Sequence, residues 1–137
     1  MKMLALASVL IAALPTTASA DQPRAQAAAT TNIYADYSKV GYARSSGSRW
    51  NIYEGYSKVG YIRRSGSRWN IYQDYSSVGY ARRSGNRWNC YADYSNIGYV
   101  RRSAGRWNIY ADYSQAGYVR GTNAGPVGCG ALVLGLV

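Results

Sequence analysis

A repeat of 19 residues covers most of this 137-residue chain and limits the folds open to it more than any other feature. Five copies follow one pattern, Asn-Ile-Tyr-x-Asp-Tyr-Ser-x-Val-Gly-Tyr-x-Arg-x-Ser-x-x-Arg-Trp, and begin at Asn32, Asn51, Asn70, Asn89 and Asn108. Equivalent units of this length bury apolar surface against each other, because one unit is too small to form a core alone. The repeat therefore predicts five equivalent structural units.

Each copy contains two segments with the composition of short β-strands. Arg68 to Tyr72 exemplifies the first and Val78 to Ser84 the second; both are rich in β-branched and aromatic residues and lack proline. Dipeptides such as Gly66-Ser67 join one copy to the next and suit a two-residue hairpin turn. The connection inside a copy is longer and carries Asp, except in the second copy, which has Glu54-Gly55. We predict an all-β antiparallel meander of about ten strands.

The turns also divide the side chains of each strand between two faces. With Gly66-Ser67 as a two-residue turn, Arg64 lies opposite Trp69, and pairing across the longer connection places Tyr72 opposite Val78. Side chains alternate along a strand, so both turns put Trp and Ile on one face and Tyr, Asn and Arg on the other. We expect the Trp/Ile face to form the core, and the reverse assignment stays open as an alternative.

Two further expectations follow from this register. Some arginines fall on the Trp/Ile face opposite indoles and can stack on them, namely Arg64, Arg83 and Arg102. The five hairpins either close around a pseudo-five-fold axis, which we favour, or continue as an open solenoid. An open array leaves unpaired strand edges, which promote self-association, whereas closure removes them.

The ends of the chain differ from the repeats. Residues 1–20 have the basic start, short apolar run and small-residue cleavage site of a signal peptide, which predicts an exported protein, periplasmic or extracellular. Residues 21–31 are predicted to be a flexible leader, 32–126 the five-repeat β domain, and 127–137 an apolar tail. The tail is too short to cross a bilayer as a helix, so we expect no integral membrane span after signal removal. It instead covers a sheet edge or plugs the core.

The two cysteines, Cys90 and Cys129, have two interpretations. In an exported chain they can form one disulfide. Cys90 also stands where the other copies have Ile, which favours a small buried apolar side chain. Both interpretations remain open from the sequence.

The composition argues against catalysis. The chain has no His and only 6 Asp and Glu, so the commonest general base is absent and paired carboxylates are scarce. The few carboxylates and serines recur at equivalent repeat positions, as architectural residues do. We therefore expect no catalytic residue, no metal site and no cofactor.

The predicted solvent face instead has the composition of a binding surface. The net charge is +10, and arginines recur at two repeat positions on the same face as tyrosines, a combination typical of recognition surfaces. The candidate residues are Arg44, Arg49, Arg63, Arg68, Arg82, Arg87, Arg101, Arg106, Arg120, Tyr42, Tyr61, Tyr80, Tyr99 and Tyr118. An anionic glycan or other polyanion of the envelope would suit it. Nucleic acid is less favoured, because export removes the protein from the cytoplasm, and a structural or self-associating envelope scaffold is the alternative.

The Trp-Asn-Ile-Tyr and Val-Gly-Tyr-x-Arg motifs, repeated behind a signal peptide, resemble those of the small secreted bacterial β-flower proteins. The resemblance covers residues 32–122. It implies hairpins arranged around a central axis, and it implies a fold rather than an activity.

Overall fold

The structure, a computed structural model, describes residues 29–137. Ten strands and one helix follow in chain order: β1 Thr30–Ala35, β2 Ser38–Ser46, β3 Arg49–Glu54, β4 Ser57–Ser65, β5 Arg68–Gln73, β6 Ser76–Ser84, β7 Arg87–Ala92, β8 Ser95–Ser103, β9 Arg106–Ala111, β10 Ser114–Gly121 and α1 Ala124–Val133. The predicted signal peptide and most of the predicted leader lie outside the described residues. Strand β1 begins inside the segment predicted as leader.

The ten strands form one antiparallel sheet that closes into a barrel. Consecutive strands pair along the chain, and β10 closes the sheet on β1 with Tyr118 opposite Tyr34. The predicted all-β meander closed around one axis is thus confirmed, and the open solenoid is wrong. Closure pairs the outermost hairpins with each other, so that neither is left as an exposed edge.

The connection inside each copy is shorter than predicted. Gln73 pairs with Ser76 and Tyr72 with Ser77, so the predicted pairing of Tyr72 with Val78 is wrong. Val78 is the extra residue of a β-bulge, which follows the tight turn. The bulge absorbs one residue and returns the next pairs to the predicted register, so the division into two faces still holds.

Backbone conformation explains why these turns need only two residues. Asp74 and Tyr75 have φ values of 52° and 71°, in the left-handed region that tight hairpin turns use. Gly55 has φ 62° at the same position of the second copy, where no Asp is present. On the other end of the barrel, Gly66 has φ 64° in a two-residue turn, and Arg64 pairs with Trp69 as predicted.

The inner face of the barrel is aliphatic. Its fully buried side chains include Ile33, Ile52, Ile62, Ile71, Val100, Ile109 and Val119. The four tryptophans are partly buried and pack against this cluster. The Trp/Ile face is therefore the core, and the reverse assignment is wrong. Alternation places all of these aliphatic side chains on one face of the sheet. That face turns inward because burying each side chain contributes roughly 2–3 kcal/mol.

The arginines that lie opposite the tryptophans do not stack on the indoles. The Arg64 Nε donates a hydrogen bond to the Gly66 carbonyl oxygen at 3.3 Å, and Arg83 does the same to Gly85 at 3.2 Å. Every cation over an aromatic ring in residues 29–137 lies over a tyrosine. Arg64 and Arg83 thus bond to the backbone of the turn at the rim of the barrel.

The apolar tail enters the barrel as helix α1. Residues 124–131 of the helix are all buried, and its sides are apolar all round, as expected for a helix enclosed by protein. Its small residues make room for the barrel wall: Gly125 faces Trp88, and Gly130 faces Ile52 and Ile62. The tail therefore plugs the core, and the plug begins three residues before the predicted boundary. No helix among the described residues combines the length and the apolar character that crossing a bilayer requires.

A gap in the repeat marks the place where the chain turns inward. Thr31 stands at the position that Trp takes in the other four junctions, and it is fully buried. Its hydroxyl donates a hydrogen bond to the carbonyl oxygen of Thr122, just before the helix. The smaller side chain leaves the space through which residues 121–123 pass from β10 to α1.

A ring of glycines receives the end of the tail. A Cβ at Gly79 would collide with the carbonyl oxygen of Tyr91 on the next strand and crowd the Val133 side chain. The same arrangement recurs with one tail residue at each glycine: Gly41 with Leu136, Gly60 with Leu134, Gly98 with Leu132, and Gly117 with Val137. Each of the five repeats thus contributes one glycine that makes room for one of the five apolar side chains at the chain end.

We expect Gly79→Ala to destabilise the barrel by about 1–3 kcal/mol, because the added methyl group overpacks this contact. Urea denaturation followed by circular dichroism measures the change. Ser77→Ala in the same strand, where the side chain is exposed, is the control and should leave the midpoint nearly unchanged. Equal midpoints for the two variants would contradict the close approach.

The structure joins Cys90 and Cys129 in a disulfide with a Cα–Cα distance of 5.0 Å. The bond links β7 to α1, so it joins the enclosed helix covalently to the barrel. Cys90 is also fully buried at the Ile position of the repeat. The two interpretations of Cys90 are therefore compatible, since one side chain fills the core and carries the cross-link.

Candidate binding surface of arginine and tyrosine

The outer face of the barrel displays the predicted arginines in two rows. One row lies on the second strand of each hairpin and is exposed: Arg44, Arg63, Arg82, Arg101 and Arg120. The other lies on the first strand of four hairpins: Arg49, Arg68, Arg87 and Arg106. We call these nine residues the arginine wall. Both rows face outward because they alternate with buried aliphatic residues of the core.

The two rows are direct neighbours across strands. Arg49 pairs with Arg63, and Arg68 pairs with Arg82 in the equivalent place of the next hairpin. Arg87 likewise pairs with Arg101. Like charges that face each other across a sheet destabilise it. The fold thus places pairs of arginines opposite each other at a cost, and an anion bound between them would remove that cost.

Tyrosines hold the first-strand arginines in place. The Arg68 guanidinium carbon lies 4.5 Å from the ring centroid of Tyr80, and the Tyr80 ring stacks on Tyr91 at 4.5 Å. Arg106 lies 4.1 Å from Tyr118, whose ring stacks on Tyr34 at 4.6 Å across the seam where the barrel closes. Each of these contacts contributes about 0.5–1.5 kcal/mol.

The same stack occurs four times around the barrel. In each, an arginine lies over a tyrosine of the second strand of its hairpin, and that tyrosine stacks on a tyrosine of the first strand of the next hairpin. The fifth, Tyr42 stacked on Tyr53 at 4.8 Å, has Thr30 where the others have arginine, and Lys39 lies 5.7 Å from the Tyr42 ring. One ring face of each predicted tyrosine therefore meets a cation and the other meets a tyrosine. These tyrosines orient the arginines, and their ring faces are already occupied.

The candidate residues chosen from the sequence leave out two sets of tyrosines that the structure makes prominent. The first is the stacking partner row, Tyr34, Tyr53, Tyr72, Tyr91 and Tyr110. The second is the set at the tight turns, 85–96% exposed: Tyr37, Tyr56, Tyr75, Tyr94 and Tyr113. Their recurrence in every copy was the signal available in the sequence. Only the tight turn geometry shows that the second set projects into solvent.

Charge is divided between the two ends of the barrel. The arginines of each hairpin lie toward the Gly-Ser turns, whereas the acidic residues lie at or beside the opposite turns: Asp36, Glu54, Asp74, Asp93 and Asp112. The nine arginines outnumber the five carboxylates and lie nearer the Gly-Ser end, so that end of the barrel has a net positive charge. Such an arrangement attracts polyanions and steers them to one part of the surface.

Comparison of the chain with family models, with curated proteins and with solved structures found no match. Within residues 29–137, no group of three or more Cys, Asp and Glu side chains lies close enough together to hold a metal ion. Any functional conclusion therefore depends on the surface itself.

Proposed function

We propose that this protein is a non-catalytic, exported binding module whose arginine wall binds anionic polymers of the envelope or its surroundings. The observation that carries the proposal is the pairing of arginines across strands, Arg49 with Arg63, Arg68 with Arg82 and Arg87 with Arg101. Paired guanidinium groups match successive phosphate, sulfate or carboxylate groups, which they bind through charge-assisted hydrogen bonds. A repeated array suits a repeating ligand better than a small molecule.

Two other features support this proposal. The Cys90–Cys129 disulfide is typical of proteins that work in an oxidising compartment outside the cytoplasm. The barrel of repeated hairpins also agrees with the resemblance to β-flower proteins, and we propose that relationship for the fold. The scaffold alternative lost one argument, because a closed sheet offers no edge strand for self-association.

The test is binding to fluorescent heparin as a function of salt. Affinity should fall by roughly 10³-fold between about 50 and 200 mM salt if six or more arginines contact the polymer. The triple variant Arg63→Gln, Arg82→Gln and Arg101→Gln should lower affinity roughly 10- to 100-fold at the lower salt concentration. These side chains are exposed, so the fold should be preserved.

A matched control separates the arginine wall from net charge. The variant Arg64→Gln, Arg83→Gln and Arg102→Gln removes the same charge from the neighbouring positions, which lie at the rim opposite the tryptophans. It should keep most of the affinity. Equal losses of affinity in the two triple variants would show attraction by overall charge alone. If the natural protein does not bind heparin at low salt, the proposal is overturned.

A further inference from the structure

The turn tyrosines have no role in the fold that the structure shows. Tyr56 is 96% exposed and Tyr113 is 93% exposed, so neither ring contributes to the core. Tyr75 and Tyr113 also have φ values of 71° and 75°, which are uncommon for a bulky residue. Yet Tyr occupies this position in all five copies, while the residue two places before it is Ala, Glu or Gln. A ring that is exposed in every copy, and that two of the turns hold in an uncommon backbone conformation, is suited to contact with another molecule.

Beside the turn tyrosines lie small grooves at equivalent positions of the barrel. The largest has a volume of about 230 Å³ and lies between β8 and the turn that follows β9. Its lining includes Arg87 of the arginine wall. Asn89 and Tyr99 line it from the neighbouring strands, and Asp112 and Tyr113 line it from the turn.

The groove recurs around the barrel. Equivalent grooves of about 130–160 Å³ contain the turn pairs Asp36-Tyr37, Asp74-Tyr75 and Asp93-Tyr94. All are below the roughly 300 Å³ of sites for drug-sized ligands. Each groove is therefore sized for a single small ring rather than for a peptide or a folded partner.

The polar groups of these grooves include hydrogen-bond acceptors. Asn89 lines the largest groove, and Asn70 lines the groove that contains Asp93 and Tyr94. The amide oxygen of each can accept a hydrogen bond from a bound hydroxyl. The Asp carboxylate at the turn is an acceptor in each of the four grooves, and in three of them it balances the charge of a lining cation, which suits an uncharged ligand; these cations are Lys58, Arg68 and Arg87.

We propose that each groove binds one uncharged pyranose ring of a glycan. The turn carboxylate accepts hydrogen bonds from sugar hydroxyls, joined by the Asn amide in the grooves that contain Asn70 or Asn89, and the exposed tyrosine offers an aromatic surface to the C–H face of the sugar. Two of the grooves share Arg68 or Arg87 with the arginine wall, whereas the turn residues of every groove lie outside it, and the inference does not depend on the function proposed for the wall. The wall tyrosines cannot serve, because both of their ring faces are covered.

One departure from the repeat gives the proposal a built-in comparison. Gly55 replaces Asp in the second copy, so that turn lacks the Asp carboxylate while keeping Tyr56. Gly55 has φ 62°, close to the 51–57° of the four turn aspartates, so Gly55→Asp fits the existing backbone. We therefore expect four competent grooves in the natural protein and five in this variant.

The experiment is a titration of the isotope-labelled protein with methyl glycosides of glucose, galactose, mannose and N-acetylglucosamine, followed by amide chemical shifts. We use about 0.5 M salt, at which polyanion binding through arginines is suppressed. At least one glycoside should shift the turn amides of Asp36, Asp74, Asp93 and Asp112 with a millimolar Kd, and Gly55 should shift least. In Gly55→Asp, the fifth turn should respond like the others. A glycan whose repeated sugars occupy several grooves at once should bind about 10²–10⁴-fold more tightly than the monosaccharide.

The triple variant Tyr75→Ala, Tyr94→Ala and Tyr113→Ala should lose at least ten-fold in affinity at its three turns, whereas Ser76→Ala, Ser95→Ala and Ser114→Ala should bind as the natural protein does. The spectrum itself shows that both variants are folded. The proposal is overturned if no glycoside shifts these amides at about 50 mM, well above a millimolar Kd. It is also overturned if the tyrosine variant binds unchanged. Heparin binding at low salt is measured separately, so either proposal can fail alone.

Discussion

Ala131→Asp is expected to destabilise the protein by about 3–5 kcal/mol, the magnitude of leaving a buried charge without a partner. Ala131 lies in the plug helix and is fully buried among aliphatic side chains of the barrel. No Lys or Arg lies on this helix to pair with the new carboxylate. Since domains of this size have about 5–15 kcal/mol of stability in total, the variant should be close to unfolded. Urea denaturation followed by circular dichroism measures the loss.

The control for this prediction is the same substitution at an exposed site. Ala104 lies in a turn with φ 51°, and aspartates adopt the same φ at the opposite end of the barrel. Ala104→Asp should therefore change the free energy of unfolding by less than about 0.5 kcal/mol. If Ala131→Asp were as stable as Ala104→Asp, the helix would not occupy the barrel interior.

The second large effect concerns the disulfide that joins helix α1 to strand β7 of the barrel. The disulfide closes a loop with a sequence separation of 39 residues, and the chain-entropy relation assigns it about 4 kcal/mol of stabilisation. Reducing the natural protein should lower its free energy of unfolding by about that amount. Both sulfur atoms remain in the reduced chain, so the comparison of oxidised and reduced protein isolates the cross-link from the loss of core volume.

The double variant Cys90→Ala and Cys129→Ala is the matching control. Its urea midpoint should lie below that of the oxidised natural protein, and reductant should not change it. A natural protein whose midpoint is the same with and without reductant would contradict a stabilising bond between β7 and α1.

The tyrosines of this chain divide into groups that composition alone does not separate. Two rows stack on each other and, in four hairpins, on an arginine, so they act by orienting the charged groups of the wall. The third row projects from the turns and is free to meet a ligand. Tyrosine serves both purposes because its ring packs and its hydroxyl remains solvated. This division is the basis of the two proposals, polyanions at the arginine wall and uncharged sugars at the turns.

Register across the Gly-Ser turns was predictable from the sequence, because a two-residue turn leaves one pairing. The pairing of Arg64 with Trp69 is an example. Register near the other turn was not. Val78 is apolar like its neighbours in the core, and nothing in its identity shows that it would be the extra residue of a bulge. The bulge accompanies a tight turn whose first residue has a positive φ, as Asp74 does, and a non-glycine residue at that position does not reveal this conformation in the sequence.

The sequence by itself determined the five hairpins, the two faces of each strand and the outward position of the arginine wall. These follow from local rules, the alternation of side chains and the geometry of short turns, which act within one repeat. Only the tertiary structure decided that the sheet closes, that the tail enters as a helix past Thr31, and which tyrosine faces stay open. Those features depend on contacts between distant repeats, where available volume and not local pattern sets the outcome.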